Sequence, residues 1–152
     1  MNRKNTGPAS LLRLEAVESF VEEILEQNHI PKTDIRMILL ACDEIFSNIC
    51  RYGKAREVTV ECTVKEDEAS VAFEDDGMEF NPLTHPEPDV RRPLETRRIG
   101  GLGIYMVQKL MDQVTYERES GKNRLCVIKN IMAAGKNQDA VKLTEQKRKV
   151  RT

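Results

Sequence analysis

Apolar residues at Leu14, Val17, Val21, Ile24 and Leu25 recur at intervals of three and four, the signature of a helix with one buried face. Ser10 stands ahead of them as a cap, so the pattern predicts a first helix running to about Asn28. Pro31 interrupts the chain, and Thr33 or Asp34 is the expected cap of a second helix that ends near Gly53. Its inner stripe is Ile38, Ala41, Cys42, Ile45 and Ile49. The period then changes to two. Val58, Val60, Cys62 and Val64 alternate with Thr59, Glu61 and Thr63, which predicts a half-buried strand. A turn at Glu66-Asp67-Glu68 leads to a second strand over Ser70 to Phe73. A third helix is expected from Leu102 to about Met111. Two further strands follow, Val114–Glu117 and Leu125–Ile128, joined by a turn at Ser120-Gly121-Lys122-Asn123.

Between Asp75 and Gly101 the pattern is lost, and Pro82, Pro86, Pro88 and Pro93 fall within twelve residues. Loops of that length in compact domains are usually functional. The polar residues 1–9 read as a loose arm or a short edge strand. The element order favours an α/β two-layer sandwich with a mostly antiparallel sheet and its three helices on one face.

Leu, Ile, Val and Phe make up 38 of the 152 residues, enough for a real core. The net charge of −1 gives no whole-chain footprint for nucleic acid or an anionic membrane. The longest apolar run, Met37 to Cys42, is far shorter than the ~20 residues a membrane helix needs. The start of the chain has no signal-type apolar segment, so a cytoplasmic protein is expected. Cys42, Cys50, Cys62 and Cys126 form no close pair and lie far from His29 and His85, which argues against zinc and redox motifs. The expected organisation is one domain over residues 1–134 and a basic, disordered tail over 135–152.

Three segments carry candidate chemistry. Glu44 and Asn48 are four apart and share one face of the second helix, beside its apolar stripe. A carboxylate and an amide there could take a proton and hold a metal, or could be an ordinary exposed pair. In Asp75-Asp76-Gly77 a carboxylate ends a strand and a glycine follows that would let a ligand approach the backbone; a plain turn is the other reading. Arg97-Arg98-Ile99-Gly100-Gly101-Leu102-Gly103 opens a helix whose free N–H groups suit phosphate, with arginine charge nearby, unless it is only a hinge. It is neither a Rossmann nor a Walker pattern.

In this order the three segments resemble the N-box and the two glycine boxes of the histidine-kinase-like (Bergerat-fold, GHKL) ATPases. The resemblance covers about Leu11 to Met132 and is nearest to the anti-sigma-factor serine kinases of bacterial partner switching. It implies a Bergerat fold, ATP and Mg²⁺ as cofactors, and a protein-serine/threonine kinase that phosphorylates an anti-sigma antagonist and sequesters a sigma factor. A homodimer is implied as well.

Position by position, it makes Glu44 the base that polarises the attacking hydroxyl, Asn48 the Mg²⁺ ligand and Asp75 the acceptor for the adenine amine. Gly77 lets adenine approach, while Gly101, Leu102 and Gly103 wrap the phosphates; Arg98, which can add charge, and Gly100 are counted with them as ATP-binding residues. Asn123 replaces the adenine-side threonine of the last box. Two features depart from the family pattern: Glu79 stands where a second glycine is frequent, and the short arm leaves little room for a first strand. A nucleotide-loaded but inert binding module and a detached sensor-kinase ATPase domain are the alternatives. The latter would need a phospho-accepting histidine from a partner, since neither His29 nor His85 suits.

Overall fold

The structure, a computed structural model, describes residues 1–84 and 101–132. The arm at the start of the chain is a full strand, β1 (Asn2–Pro8), so there is room for a first strand after all. A single 3₁₀ turn at Leu11–Arg13 follows, with Ser10 as its cap through a bond from Leu12 N to Oγ. Then come α1 (Leu14–Gln27), α2 (Lys32–Tyr52), β2 (Glu57–Val64) and β3 (Glu68–Asp75). Past the undescribed stretch lie α3 (Gly101–Leu110), β4 (Gln113–Glu119) and β5 (Lys122–Asn130). Most of the long proline-bearing loop, with Arg97, Arg98 and Gly100, and the basic tail expected over 135–152 lie outside the described residues.

Two expected boundaries move. Helix α2 is entered from Pro31, whose carbonyl receives the Ile35 N–H at 3.0 Å, so Thr33 and Asp34 lie inside its first turn and neither caps it. Proline has φ preset near the helical value, and Asp34 in the first turn suits the helix dipole. The β4–β5 connection has only two residues, Ser120 and Gly121, with φ of 51° and 77°. Both left-handed, they form the tight hairpin turn that matches strand twist, which puts Lys122 and Asn123 inside β5 rather than in the turn.

The sheet order is β1-β2-β3-β5-β4, and every pairing among the described residues is antiparallel, the limiting case of the mostly antiparallel sheet expected. Registers carry the inward residues into continuous rows. One row runs Val60, Phe73, Leu125, Tyr116, and the next runs Cys62, Val71, Val127, Val114. Against this face pack Val17, Val21, Ile24 and Leu25 of α1, Ile38, Ala41, Cys42, Ile45 and Phe46 of α2, and Ile104 and Val107 of α3. Alternation in the strands and the three-four spacing in the helices thus meet in one core. The outer face is mostly polar, with Ala72, Cys126 and Ile128 among its residues. There Arg124 reaches across to Glu61 at 2.5 Å, and Ala72, beneath that pair, is buried although its neighbours in sequence face inward. The last row of the inner face departs from the apolar pattern: it reads Val58, Asp75, Asn123, Arg118.

Candidate functional site

That polar row defines one end of the site. Asp75 is the last residue of β3 and faces the helices because it keeps the parity of Val71 and Phe73. It is only 5% exposed. Its Oδ1 accepts from Gly77 N at 2.9 Å and from Asn123 Nδ2 at 3.1 Å, while Oδ2 accepts no hydrogen bond among the described residues. Burial pushes the carboxyl above its ordinary range. The bonds from Asn123 and Gly77 and the charge of Arg118 pull it back, and Asp76 adds to the rise. Asp76 itself points away and receives the N–H groups of Arg56 and Glu57 at 2.8 and 3.1 Å, which holds its carboxyl below the ordinary range. Of the two adjacent aspartates, one lines the site and the other anchors the start of β2.

Gly77 follows in a backbone contact that admits no side chain: a Cβ there would run into the carbonyl oxygen of Gly53, at the end of α2. Met78 N donates to that same oxygen at 2.9 Å. The glycine is therefore required by the chain's own close packing, whatever a ligand asks of it. Arg118 Nη1 donates to the Gly77 carbonyl at 2.9 Å. Asn123, buried across the row from Asp75, gives Nδ2 also to Met78 O at 2.7 Å and takes Phe80 N at 3.3 Å and Tyr116 Oη at 2.5 Å on Oδ1.

The second cluster lies further back along α2. Glu44 and Asn48 do share a face, and Asn48 Nδ2 donates to Glu44 Oε1 at 3.2 Å. The Glu44 carboxylate lies against the first turn of α3, so closely that a Cβ on Gly103 would overlap it. The first glycines of α3 and the carboxylate–amide pair are thus brought together by the packing of α3 on α2, across nearly sixty residues of sequence. Gly101 and Leu102 open the same helix. The remaining members expected at this end, Arg98 and Gly100, fall outside the described residues.

Sequence reading missed Gly53, Tyr116 and Arg118. Gly53 read only as a helix end. Tyr116 and Arg118 fall on the inner parity of β4, a signal that becomes usable once the Ser120-Gly121 turn sets the register. No group of three or more His, Cys, Asp or Glu that could hold a metal occurs among the described residues. Asn48 Oδ1, which takes no hydrogen bond among the described residues, is a hard oxygen donor of the kind Mg²⁺ accepts alongside phosphates and water.

Residues 7–129 match the family model described as the histidine kinase-like ATPase domain. A curated relative from Listeria monocytogenes, named serine-protein kinase RsbW, is 36% identical over 95 residues, covering 57% of this chain and 60% of that protein. Its namesake from Listeria innocua is 35% identical over the same length and shares, and that from Bacillus mycoides 26% identical over 95 residues, 58% of this chain and 59% of its own. The chain thus spans about 60% of the length of these three curated relatives. Among solved structures, the RsbU and RsbW domains of a Mycobacterium tuberculosis protein superimpose with a TM-score of 0.64 at 15% identity, covering 86% of this chain and 32% of that one. That likeness is one of fold.

Proposed function

Because the chain belongs to the histidine kinase-like ATPase family, we propose that it binds ATP between its two α2-linked clusters and transfers the γ-phosphoryl group to a serine of a small anti-sigma antagonist protein. In the same reading it is an anti-sigma factor: it holds a sigma factor until the unphosphorylated antagonist displaces it, and it acts as a homodimer.

The observation that carries the ATP reading is the spacing along α2. The base-type cluster (Asp75, Gly77, Asn123) is stapled to Gly53, and the phosphate-type cluster (Glu44, Asn48, Gly103) lies up to nine residues back. At 1.5 Å per residue that is roughly 14 Å along the helix axis, comparable to an extended nucleoside triphosphate. The buried Asp75, with Oδ2 unengaged, suits an exocyclic amine. The first N–H groups of α3, at Gly101, Leu102 and Gly103, suit phosphate oxygens, with Arg98 and Gly100 preceding them in sequence.

Asn48 Oδ1, together with the nucleotide phosphates, would hold Mg²⁺, which supplies charge neutralisation to the transferring group. Glu44 is positioned by Asn48 and by the first turn of α3, so its carboxylate can accept the proton of an incoming serine hydroxyl. Asn48→Ala should remove most of the magnesium dependence of nucleotide binding while changing metal-free binding less. Parallel titrations with and without Mg²⁺ check this, and equal effects in both would exclude Asn48 as a ligand.

The test of the whole reading uses the purified chain, labelled ATP and candidate antagonists recovered by co-purification with and without Mg-ATP. Transfer of label to a serine supports the kinase. Sigma-factor binding and nucleotide binding without transfer would instead make this chain an inert regulatory module.

A further inference from the structure

Asn123 has two amide hydrogens and two acceptor sites on its oxygen, and all four are used inside the chain. Nδ2 donates to Asp75 Oδ1 and Met78 O; Oδ1 accepts from Phe80 N and Tyr116 Oη. The orientation of the amide follows from its neighbours. A backbone N–H can only donate and a backbone carbonyl can only accept, so Phe80 N must meet the oxygen and Met78 O the nitrogen. With the oxygen on that side, the Tyr116 hydroxyl is the donor of the short bond between them. The reverse orientation would set the amide oxygen against both the Asp75 carboxylate and the Met78 carbonyl. Asn123 therefore has no capacity left for a nucleobase without giving up one of these bonds.

The consequence falls on Asp75. One of its oxygens, Oδ1, is committed to Asn123 and Gly77, which leaves Oδ2 as the acceptor offered to a ligand. The charged groups facing the carboxylate are Asp76 on its own strand end and Arg118 on β4, and Arg118 is itself bonded to the Gly77 carbonyl. Tyr116 sits one inward step along β4 from Arg118, with its ring in the row of Phe73 and Leu125. Its hydroxyl thus reaches the polar row from the apolar one.

We propose that Tyr116 and Asn123 are positioning residues for base selection: together they present Asp75 with only Oδ2 available, and so make the site select a 6-amino over a 6-oxo purine. This rests on the nucleotide reading above and extends it to two residues that touch no ligand. A group that merely held the loop together would weaken every nucleotide alike; a group that aims the carboxylate changes the ratio between nucleotides that differ only at the amine.

The test is calorimetric binding of MgADP and of Mg-inosine diphosphate, which carries an oxo group in place of the amine, to wild type, Tyr116→Phe and Asn123→Ala. The phosphate contacts cancel in the ratio of the two affinities. Wild type should favour ADP by about 10- to 150-fold, the worth of one hydrogen bond to a charged group. Tyr116→Phe should lower that ratio by about 2- to 10-fold, and Asn123→Ala by more. Weaker ADP binding with the wild-type ratio preserved in Tyr116→Phe would overturn the inference while leaving the nucleotide reading standing. That variant removes one hydroxyl and keeps the ring, so it decides the matter even if Asn123→Ala fails to fold. Wild type that binds both diphosphates equally would overturn base selection outright, and wild type that binds neither would overturn the nucleotide reading and this inference together.

Discussion

Asp75 holds a charge in a place that penalises it, and the penalty can be measured. Its carboxyl is raised in the folded protein, first by burial, so the folded chain binds that proton more tightly than the unfolded one. The ionised group therefore lowers stability at neutral pH, and the loss disappears as pH falls below about 4, where both states are protonated. Asp75→Asn keeps an acceptor for Gly77 and Asn123 without the charge. It should hold or raise Tm at pH 7, with the advantage shrinking toward acid, while ADP affinity falls by about 10- to 150-fold. Calorimetric melting across pH and a binding titration check both halves. Asp76 works in the opposite sense: its lowered carboxyl stabilises the fold at neutral pH and loses that contribution as pH falls through its folded value. Glu44 should separate binding from chemistry. Glu44→Ala should leave ADP affinity near wild type and reduce single-turnover transfer to the antagonist by about 10²–10⁴, the usual worth of a positioned base.

At the scale of elements, two glycines make opposite predictions although a Cβ built on either would meet a neighbour. Gly77 meets backbone, the Gly53 carbonyl, which cannot turn aside. Gly77→Ala must move the strand end or the end of α2, and should cost about 1–3 kcal/mol, read as a lower denaturation midpoint. Gly103 meets the end of a side chain, the Glu44 carboxylate, which can rotate away. Alanine inside a helix also gains about 1 kcal/mol over glycine. Gly103→Ala should therefore fold as well as wild type and yet lose phosphoryl transfer, because Glu44 is displaced. Melting and single-turnover assays on the pair check the contrast; equal loss of stability in both would refute it. Helix α1 ends on a comparable compromise. His29 takes a φ of 59° so that its N–H reaches Glu26 O and the N–H of Ile30 reaches Leu25 O, which seats Ile30 in the core.

Across the whole molecule, Arg13 ties the first strand to the rest. Its Nη1 donates to Val58 O at 2.9 Å and Pro8 O at 3.3 Å, its Nη2 to Asn5 O at 2.9 Å and Asn5 Oδ1 at 2.6 Å, and its guanidinium lies 5.7 Å from the centre of the Phe46 ring. Edge strand, 3₁₀ turn, β2 and α2 thus meet at one side chain. Gly7 has no room for a Cβ because the Arg13 side chain fills it. Arg13→Met keeps the aliphatic packing and removes the bonds. It should lower stability by about 2 kcal/mol, and amide exchange of Lys4 to Gly7 should rise before that of β3 and β5. Uniform exchange across the sheet would show instead that β1 unfolds only with the whole.

Periodicity determined the elements. Val58, Val60, Cys62 and Val64 could only be one face of a strand, and the Glu44–Asn48 spacing could only share a helix face, since both follow from the geometry of a local repeat. A carboxylate at the strand end was legible too, but the choice of Asp75 over Asp76 came from the family resemblance, and it is the register of β3 that gives Asp75 the inward parity of Phe73. What the local pattern left open was whatever depended on another part of the chain. A polar arm reads alike whether free or paired, and β1 forms because β2 offers an edge and Arg13 reaches back to hold it. Asn123 read as a turn residue until the two left-handed residues of the hairpin moved it into β5 and set it opposite Asp75. Gly77 read as an opening for a ligand, and tertiary packing gave it a nearer neighbour in Gly53. Glu44 and Gly103 come together for a similar reason: α3 must bury Ile104 and Val107 against the same core as α2, and only that shared core brings a carboxylate onto the first turn of a helix nearly sixty residues away.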